Sequence, residues 1–375
     1  LPWTKEYRLK ISQFQKQLEA LVPPAIAWKG DNVGLLIGRP DRSISNALIA
    51  LDLTSAVIDE AKRKKANLII THHPLLFHPV RSLTPSTRAG KLSLSLSELK
   101  LNLYAAHTNL DSVQWGVSFT LAQQLGIQDV QILSPIKESL TKIAVFVPSD
   151  HVDTVAAAMH SAGAGTFSKY DTCSFRSEGT GTFRGMKNAK PFIGKAGTVE
   201  KVNEIKLEML TEQWKLGRIV AAMLKAHPYE EAAYDLSPLL NGNTEYGLGA
   251  IGTLKRPMTQ KAFLSMIKKN LGIGALRYSG TATTIRRVAV CGGSGADYIH
   301  DAIAQGADAM VTADLKYHTF QDFEEKILLI DAGHYETESG VLKGLAAAVA
   351  RVFKMQHHSG KVYITQYSTN PVHIF

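Results

Sequence analysis

Apolar residues in the first third of the chain come in short continuous runs, separated by segments with helical spacing. ISQFQKQLEALV (11–22) repeats its apolar positions every three or four residues, which predicts a helix, and Pro23-Pro24 stops it. NALIALDLT (46–54) predicts a buried strand. SAVIDEAKRKKA (55–66) predicts a helix, with Ser55 placed as its cap. NLIITHHP (67–74) is a second buried strand, LSLSELKLN (94–102) a helix, and LYAAHTNLD (103–111) the start of another strand. Unbroken apolar strands alternating with helices predict a mostly parallel sheet covered on both faces.

The last third follows the same logic. RRVAVCGGSGADYIHDAIAQGADAMVTAD (286–314) reads as strand, glycine turn, helix, strand, and ILLIDAGHYETESGVLKGLAAAVARVF (327–353) as strand, loop, long amphipathic helix. The middle differs. A strand and helix at 142–164, strands at 179–185 and 202–211, a helix at 213–227 and a strand near 229–239 give the order β-α-β-β-α-β. That order predicts a ferredoxin-like α+β module. The expected architecture is one α/β domain built from residues 1–138 and 246–375, with residues 139–245 inserted in a surface loop.

Composition narrows the class. With 375 residues, 45% hydrophobic and 20% charged, the chain suits a soluble globular protein of two or three domains. Two cysteines, Cys173 and Cys291, exclude a disulfide framework and suit a reducing, cytoplasmic setting. The opening LPWTKEYRLK lacks an initiating Met and the apolar stretch of a secretory signal, so a trimmed start and no export are expected. No apolar run reaches the length of a membrane span. The net charge of +9 is compatible with a nucleic-acid partner. The basic residues are scattered, however, and the densest run, Lys62 to Lys65, reads as the solvated end of a helix, so nucleic acid is not favoured.

Thirteen histidines against two cysteines point to nitrogen and oxygen ligands if metal is bound. Four clusters follow buried strands: Thr71-His72-His73-Pro74, His107 to Asp111, Asp314 to His318, and His334 to Glu338. Ligands bind beyond the carboxyl ends of parallel strands, so distant segments can converge there. Adjacent His72 and His73 point in different directions, and each can serve a different ion. His334 and Glu338 are four apart at a helix start and share a face. His107 and Asp111 have the same spacing, but only a local helical turn would align them. A lone strand-end histidine is more often a solvated loop residue; the joint pattern carries the reading. Gly292-Gly293-Ser294-Gly295 follows a strand, as a phosphate-cradling loop would, but tight strand–helix junctions use glycine as often. Cys291 reads as a buried structural thiol. His151, His160, His357, His358 and His373 fall outside any cluster.

The stretches WKGDNVGLLIG, THHPLLFHP, AAHTNLD, VAVCGGSG, TADLKYH and DAGHYETE run in order across both outer thirds. In them the sequence resembles the Nif-three-like family, also called GTP cyclohydrolase 1 type 2-like. The resemblance implies two divalent ions (Zn, Fe or Mn) held by His72, His73, Asp111, His334 and Glu338. It places His107 at a site-lining position. Tyr335 stands where many relatives carry a second His, and Ala313 where Gly is common. Ala226-His227-Pro228-Tyr229-Glu230-Glu231 is similar to a signature of PII-like and CutA-like trimeric modules. A structural turn at a subunit contact is the preferred role for His227 and Glu230.

The function expected from these residues is a dinuclear metal-dependent hydrolase acting on a nucleotide-like or other small substrate. Glu338 is expected to bridge the ions, and His107 or His318 to relay protons. The alternative is a regulatory or scaffolding ring protein that binds metal and a transcription factor or nucleic acid without turnover. The resemblance also implies a homohexamer.

Overall fold

The computed structural model describes residues 9–374. Most of the opening stretch LPWTKEYRLK, on which the export expectation falls, therefore lies outside the described residues. The chain forms two compact units, one running to Ser134 and resuming at Tyr246, the other spanning Pro135–Glu245.

The outer unit is α/β but holds two sheets where the sequence suggests one. The first has the strand order β1 (Gly34–Ile37), β4 (Asn102–Ala105), β3 (Ala66–Thr71), β2 (Asn46–Ala50) and β15 (Val362–Ile364). All its neighbours are parallel except β1 and β4. The second has the order β11 (Arg277–Ser279), β14 (Leu328–Asp331), β13 (Ala309–Ala313), β12 (Ile285–Ser294), β10 (Asn243–Met258) and β5 (Ile127–Ile136). Its parallel core of β12, β13 and β14 is flanked by antiparallel partners. The antiparallel neighbours are β1 in the first sheet and β10 and β11 in the second, whereas the edge strand β15 is parallel to β2.

Local chemistry explains the helix boundaries. The first helix, Ile11–Leu21, buries Ile11, Phe14 and Leu18. Phe14 is fully buried and meets the rings of Tyr104 and Phe353 edge-on, with centroids 6.4 and 6.0 Å away. It thereby ties this helix to β4 and to the helix Val341–Met355; each such buried ring stabilises by about 1.5–3 kcal/mol. The helix Ser55–Arg63 is capped by Thr54, whose hydroxyl accepts from Val57 N at 3.2 Å. Ser55, the expected cap, is its first helical residue. Lys65, at φ 51°, turns the chain directly into β3. Two residues of the basic run at this helix end meet the C-terminal segment. Arg63 donates to Tyr367 Oη at 2.9 Å, and Lys64 Nζ lies 5.1 Å from the Tyr363 ring centre.

The middle unit realises the order β6 (Leu140–Pro148), helix Val152–Ser161, β7 (Phe175–Arg184), β8 (Val199–Glu212), helix Leu216–Ala226, β9 (Tyr234–Leu239). Its sheet order is β7-β8-β6-β9, antiparallel throughout. Both helices pack on the sheet around Val145, Val155, Met159, Leu207 and Met223. Among the described residues no helix is long and apolar enough to cross a membrane.

Candidate metal centre

The carboxyl ends of both parallel cores supply the site. β3 ends at Thr71, and the chain continues the ladder for two residues: His72 N–H donates to Ala50 O (3.2 Å) and His73 N–H to Leu51 O (3.0 Å). The pleat then turns the two rings apart, with centroids 4.9 Å distant and planes 44° apart. After β4 the chain forms a one-turn helix, Thr108–Asp111, and Asp111 N–H donates to His107 O. This is the local turn that the His107–Asp111 spacing requires. After β14, Gly333 leads into the helix His334–Glu338, which sets both side chains on one face. His334 Nε2 and Glu338 Oε1 are 3.1 Å apart.

Four imidazoles converge, each with Nδ1 on an acceptor. His72 Nδ1 donates to Ala106 O (2.8 Å), His73 Nδ1 to Asp52 Oδ1 (2.9 Å), His107 Nδ1 to Asp31 Oδ1 (2.9 Å) and His334 Nδ1 to Asp314 Oδ2 (2.6 Å). Each Nε2 is thereby turned toward shared space, and a carboxylate or carbonyl behind Nδ1 makes it a better donor to a metal. One ligand atom each from His72, His73 and His107 lie within 4.8 Å of one another, and so do those of His73, His334 and Glu338. Glu338 spans both groups: Oε1 lies 3.7 Å from His72 Nε2, and Oε2 lies 3.0 Å from His73 Nε2.

The polar accounting of this cluster fits a cation. His72 is wholly buried, yet its Nε2 has no hydrogen-bond partner. Asp111 Oδ1, 3.5 Å from that nitrogen, is likewise unpartnered. His73 Nε2 faces His334 Nε2 at 3.2 Å. Buried polar atoms without partners are costly, and two like ring nitrogens that face one another add to the cost whether both carry protons or both carry lone pairs. An ion of N/O preference removes both problems at once.

The charges respond to this crowding. Burial opposes charge on His73, but hydrogen bonds to Asp52 and Glu338 outweigh it and raise its pKa to about 10. His334 is likewise raised, against burial, to about 9 by Glu338 and Asp314. Burial also acts against the Glu338 carboxylate, yet the three surrounding imidazoles hold it well below the usual range. Asp111 goes the other way: burial pushes it up to about 6. Asp31, where His107 and Thr108 overcome burial, is held at about 2.

A model of the Duf34/NIF3 (NGG1p interacting factor 3) family matches residues 9–371. The chain belongs to this family. A Halalkalibacterium halodurans protein named GTP cyclohydrolase 1 type 2 homolog is 40% identical over 352 residues, covering 93% of this chain and 94% of the relative. A Bacillus subtilis protein of the same name is 38% identical over 362 residues, covering 96% and 97%. The solved structure of a Bacillus cereus protein related to NIF3 is similar with a TM-score of 0.86 at 34% identity, covering 98% of this chain and 99% of that one.

In this Duf34/NIF3 chain the glycine-rich stretch at 292–295 has a steric role at the site. Gly293 sits at φ +66°, and a Cβ there would run into Glu338 Oε1. Gly293 makes room for the buried carboxylate, so the loop needs no phosphate to explain its glycine there. Cys291 is buried beside it, and burial pushes its thiol up to about 12, which makes it a poor nucleophile.

His318 stands apart. It lies on the exposed helix Tyr317–Phe323, 3.4 Å from Gln321 Oε1 and stacked edge-on to Tyr317. It is Asp314 of the TADLKYH stretch, at φ 57°, that reaches His334. Asp31, Asp52 and Asp314 each hold an Nδ1; of these the sequence marks Asp314 as the start of a strand-end cluster and Asp31 within a family-like stretch, and Asp52 by neither sign. The available signal was position. Asp52 follows β2, Asp314 follows β13, and Asp31 precedes β1 within the WKGDNVGLLIG stretch.

Proposed function

We propose that this protein is a dinuclear divalent-metal hydrolase acting on a nucleotide-like or other small substrate. The observation that carries the reading is the set of three Nδ1-anchored imidazoles, His72, His73 and His334, whose Nε2 atoms face Glu338, with the unpartnered Asp111 Oδ1 beside His72 and His107 grouped with them. His72, His73, Asp111, His334 and Glu338 are the proposed ligands, with Glu338 as the bridge, and Zn, Fe or Mn suits this set. Two such ions would supply Lewis acidity and an activated water at neutral pH. The chain's own contribution is placement. Asp52, Asp314 and Ala106 fix the ring planes of His73, His334 and His72. His107, held by Asp31 at the rim of the group, is the proposed relay in preference to exposed His318.

The reading extends to the whole chain. Residues 139–245 are proposed as an insert of PII/CutA-like kind, supported by their β-α-β-β-α-β order and the His227-Pro228-Tyr229-Glu230 turn. A homohexameric ring and a cytoplasmic setting complete the proposal. The nucleic-acid alternative rests on the net charge of +9 alone, whereas the clustered imidazoles and carboxylates favour the metal reading.

The test is metal analysis of the purified wild type against Glu338→Ala. Wild type is expected to hold two divalent ions per chain and the variant to lose at least one. Equal metal content in the two would sink the dinuclear site. With Mn- or Fe-loaded protein, absence of hydrolysis across nucleoside phosphates and cyclic amidines would sink the hydrolase reading alone.

A further inference from the structure

The middle unit contains a cavity of about 880 Å³ that includes none of the metal-site residues. That is the size of a pocket for a small organic molecule. Its construction starts in β7. Every β7 residue from Ser177 to Arg184 lines the cavity, Gly179, Gly181 and Phe183 among them. A Cβ on Gly179 would meet nothing within 4 Å, whereas one on Gly181 would strike the Glu204 carboxylate. Glycines in a strand interior weaken it, and they are found where a ligand or another group must come close to the backbone.

The walls are aromatic. Tyr229 stands between Phe183 and Phe192, with ring centres 6.0 and 6.3 Å away and planes tilted by 57° and 49°. Phe192 is 54% exposed, so apolar ring faces remain open to an occupant.

The charge is negative. Four glutamates, at 178, 204, 230 and 231, line the cavity against two cations, Arg184 and Lys206. Lys206 is answered elsewhere, 3.2 Å from Glu208, which is not in the lining. Glu204 accepts from Tyr229 Oη–H at 2.9 Å, and Glu230 accepts from Lys190 N–H at 2.9 Å. Each of these carboxylates keeps further lone pairs for a ligand. This acidic lining belongs to a chain of net charge +9, so it does not follow from overall composition.

We propose that this cavity is a binding site for a small organic cation, an aliphatic amine whose ammonium groups meet the glutamates and whose methylene body lies on the aromatic faces. Ring faces attract ammonium within about 6 Å of their centres, and carboxylates supply the remaining charge. A nucleotide or other anion would meet a lining in which carboxylates outnumber cations. The site stands independently of the metal reading, since the two share no residue.

The test uses the full-length metal-loaded chain and isothermal calorimetry with spermidine. Saturable binding is expected, and Glu178→Gln with Glu231→Gln, both exposed positions, should weaken it about tenfold. Phe183→Ala should weaken it similarly while a bound-metal assay stays unchanged. Three results would overturn the proposal: no saturable heat at millimolar spermidine, equal binding to wild type and the glutamine double variant, or displacement of spermidine by equimolar Mg²⁺. Preferential binding of AMP would overturn it as well. Circular dichroism melts of both variants identify any loss that comes from unfolding. If Phe183→Ala unfolds, the glutamine pair decides alone.

Discussion

A histidine ligand is a competition between a proton and an ion for the same lone pair. At His73 and His334 the protein's own carboxylates favour the proton, raising these groups to about 10 and about 9. The sign follows directly. Below those values the ion-free rings hold protons, so metal uptake must release them, and falling pH must weaken binding. Affinity for Zn or Mn is expected to rise as pH is raised from about 6 to about 9, with proton release measurable by calorimetry in buffers of different ionisation enthalpy. A pH-independent affinity, or uptake without proton release, would show that His73 and His334 are not ligands. Asp52 and Asp314 act in two ways here. They hold the proton on Nδ1, which fixes the tautomer, and they raise the basicity of Nε2 toward an ion.

At the scale of elements, the ends of strands do most of the positioning, and the C-terminal segment adds a hidden one. β15 pairs with β2, and the chain then runs back past the site. Thr369, only 9% exposed, donates its hydroxyl to Asp52 Oδ2 at 2.9 Å, while Asp52 Oδ1 holds His73 Nδ1. Next to it, Asn370 Nδ2 donates to Glu336 Oε1 at 2.8 Å. Direct partners of a ligand histidine typically carry about 10–100-fold in metal affinity. Asp52→Asn is expected in that range. Thr369→Val, one bond further out, is expected to cost several-fold in metal affinity and about 1 kcal/mol of stability for the lost hydrogen bond. A chelator competition assay separates the two variants. Unchanged affinity in Thr369→Val would reduce the segment to simple packing. The same scale explains what the sequence made legible. Strand ends with His or carboxylate stand out, because a buried apolar run that stops at a polar residue is easy to see. A carboxylate behind Nδ1 can come from any distance in sequence, as Asp31 does for His107, so no spacing marks it. The helix Arg88–Glu98 is read six residues late because its early buried face is made of Gly90, Leu92 and Ser93 rather than a clear apolar stripe. Edge strands such as β11 and β15, three residues each, are too short to show a period.

Across the whole molecule, the described hydrophobic clusters keep to one unit each. Those built on β2 to β4 and on β10 to β14 use only residues before 135 or after 245, and the one on β6 and β8 uses only residues 143–226. Every residue of the metal cluster, with the acceptors behind it, belongs to the outer unit. The two ends of the middle segment leave from β5 and β10, which are neighbours in one sheet, so a short turn can join them. Removing residues 137–242 and closing β5 to β10 with a short Gly/Asn turn should therefore spare the outer core, since loop closure costs little once the flanking strands are already paired. The shortened chain is expected to melt cooperatively and to bind divalent metal within about threefold of the full chain, a difference below 1 kcal/mol. It should also lose all spermidine binding, because the acidic aromatic cavity lies wholly within the excised segment. Calorimetry on the one shortened protein reads both outcomes. Retained spermidine binding would place the amine site outside the cavity. Loss of metal from a chain that still melts cooperatively would mean that the middle unit shapes the metal site, and the two functions could then no longer be assigned to separate units.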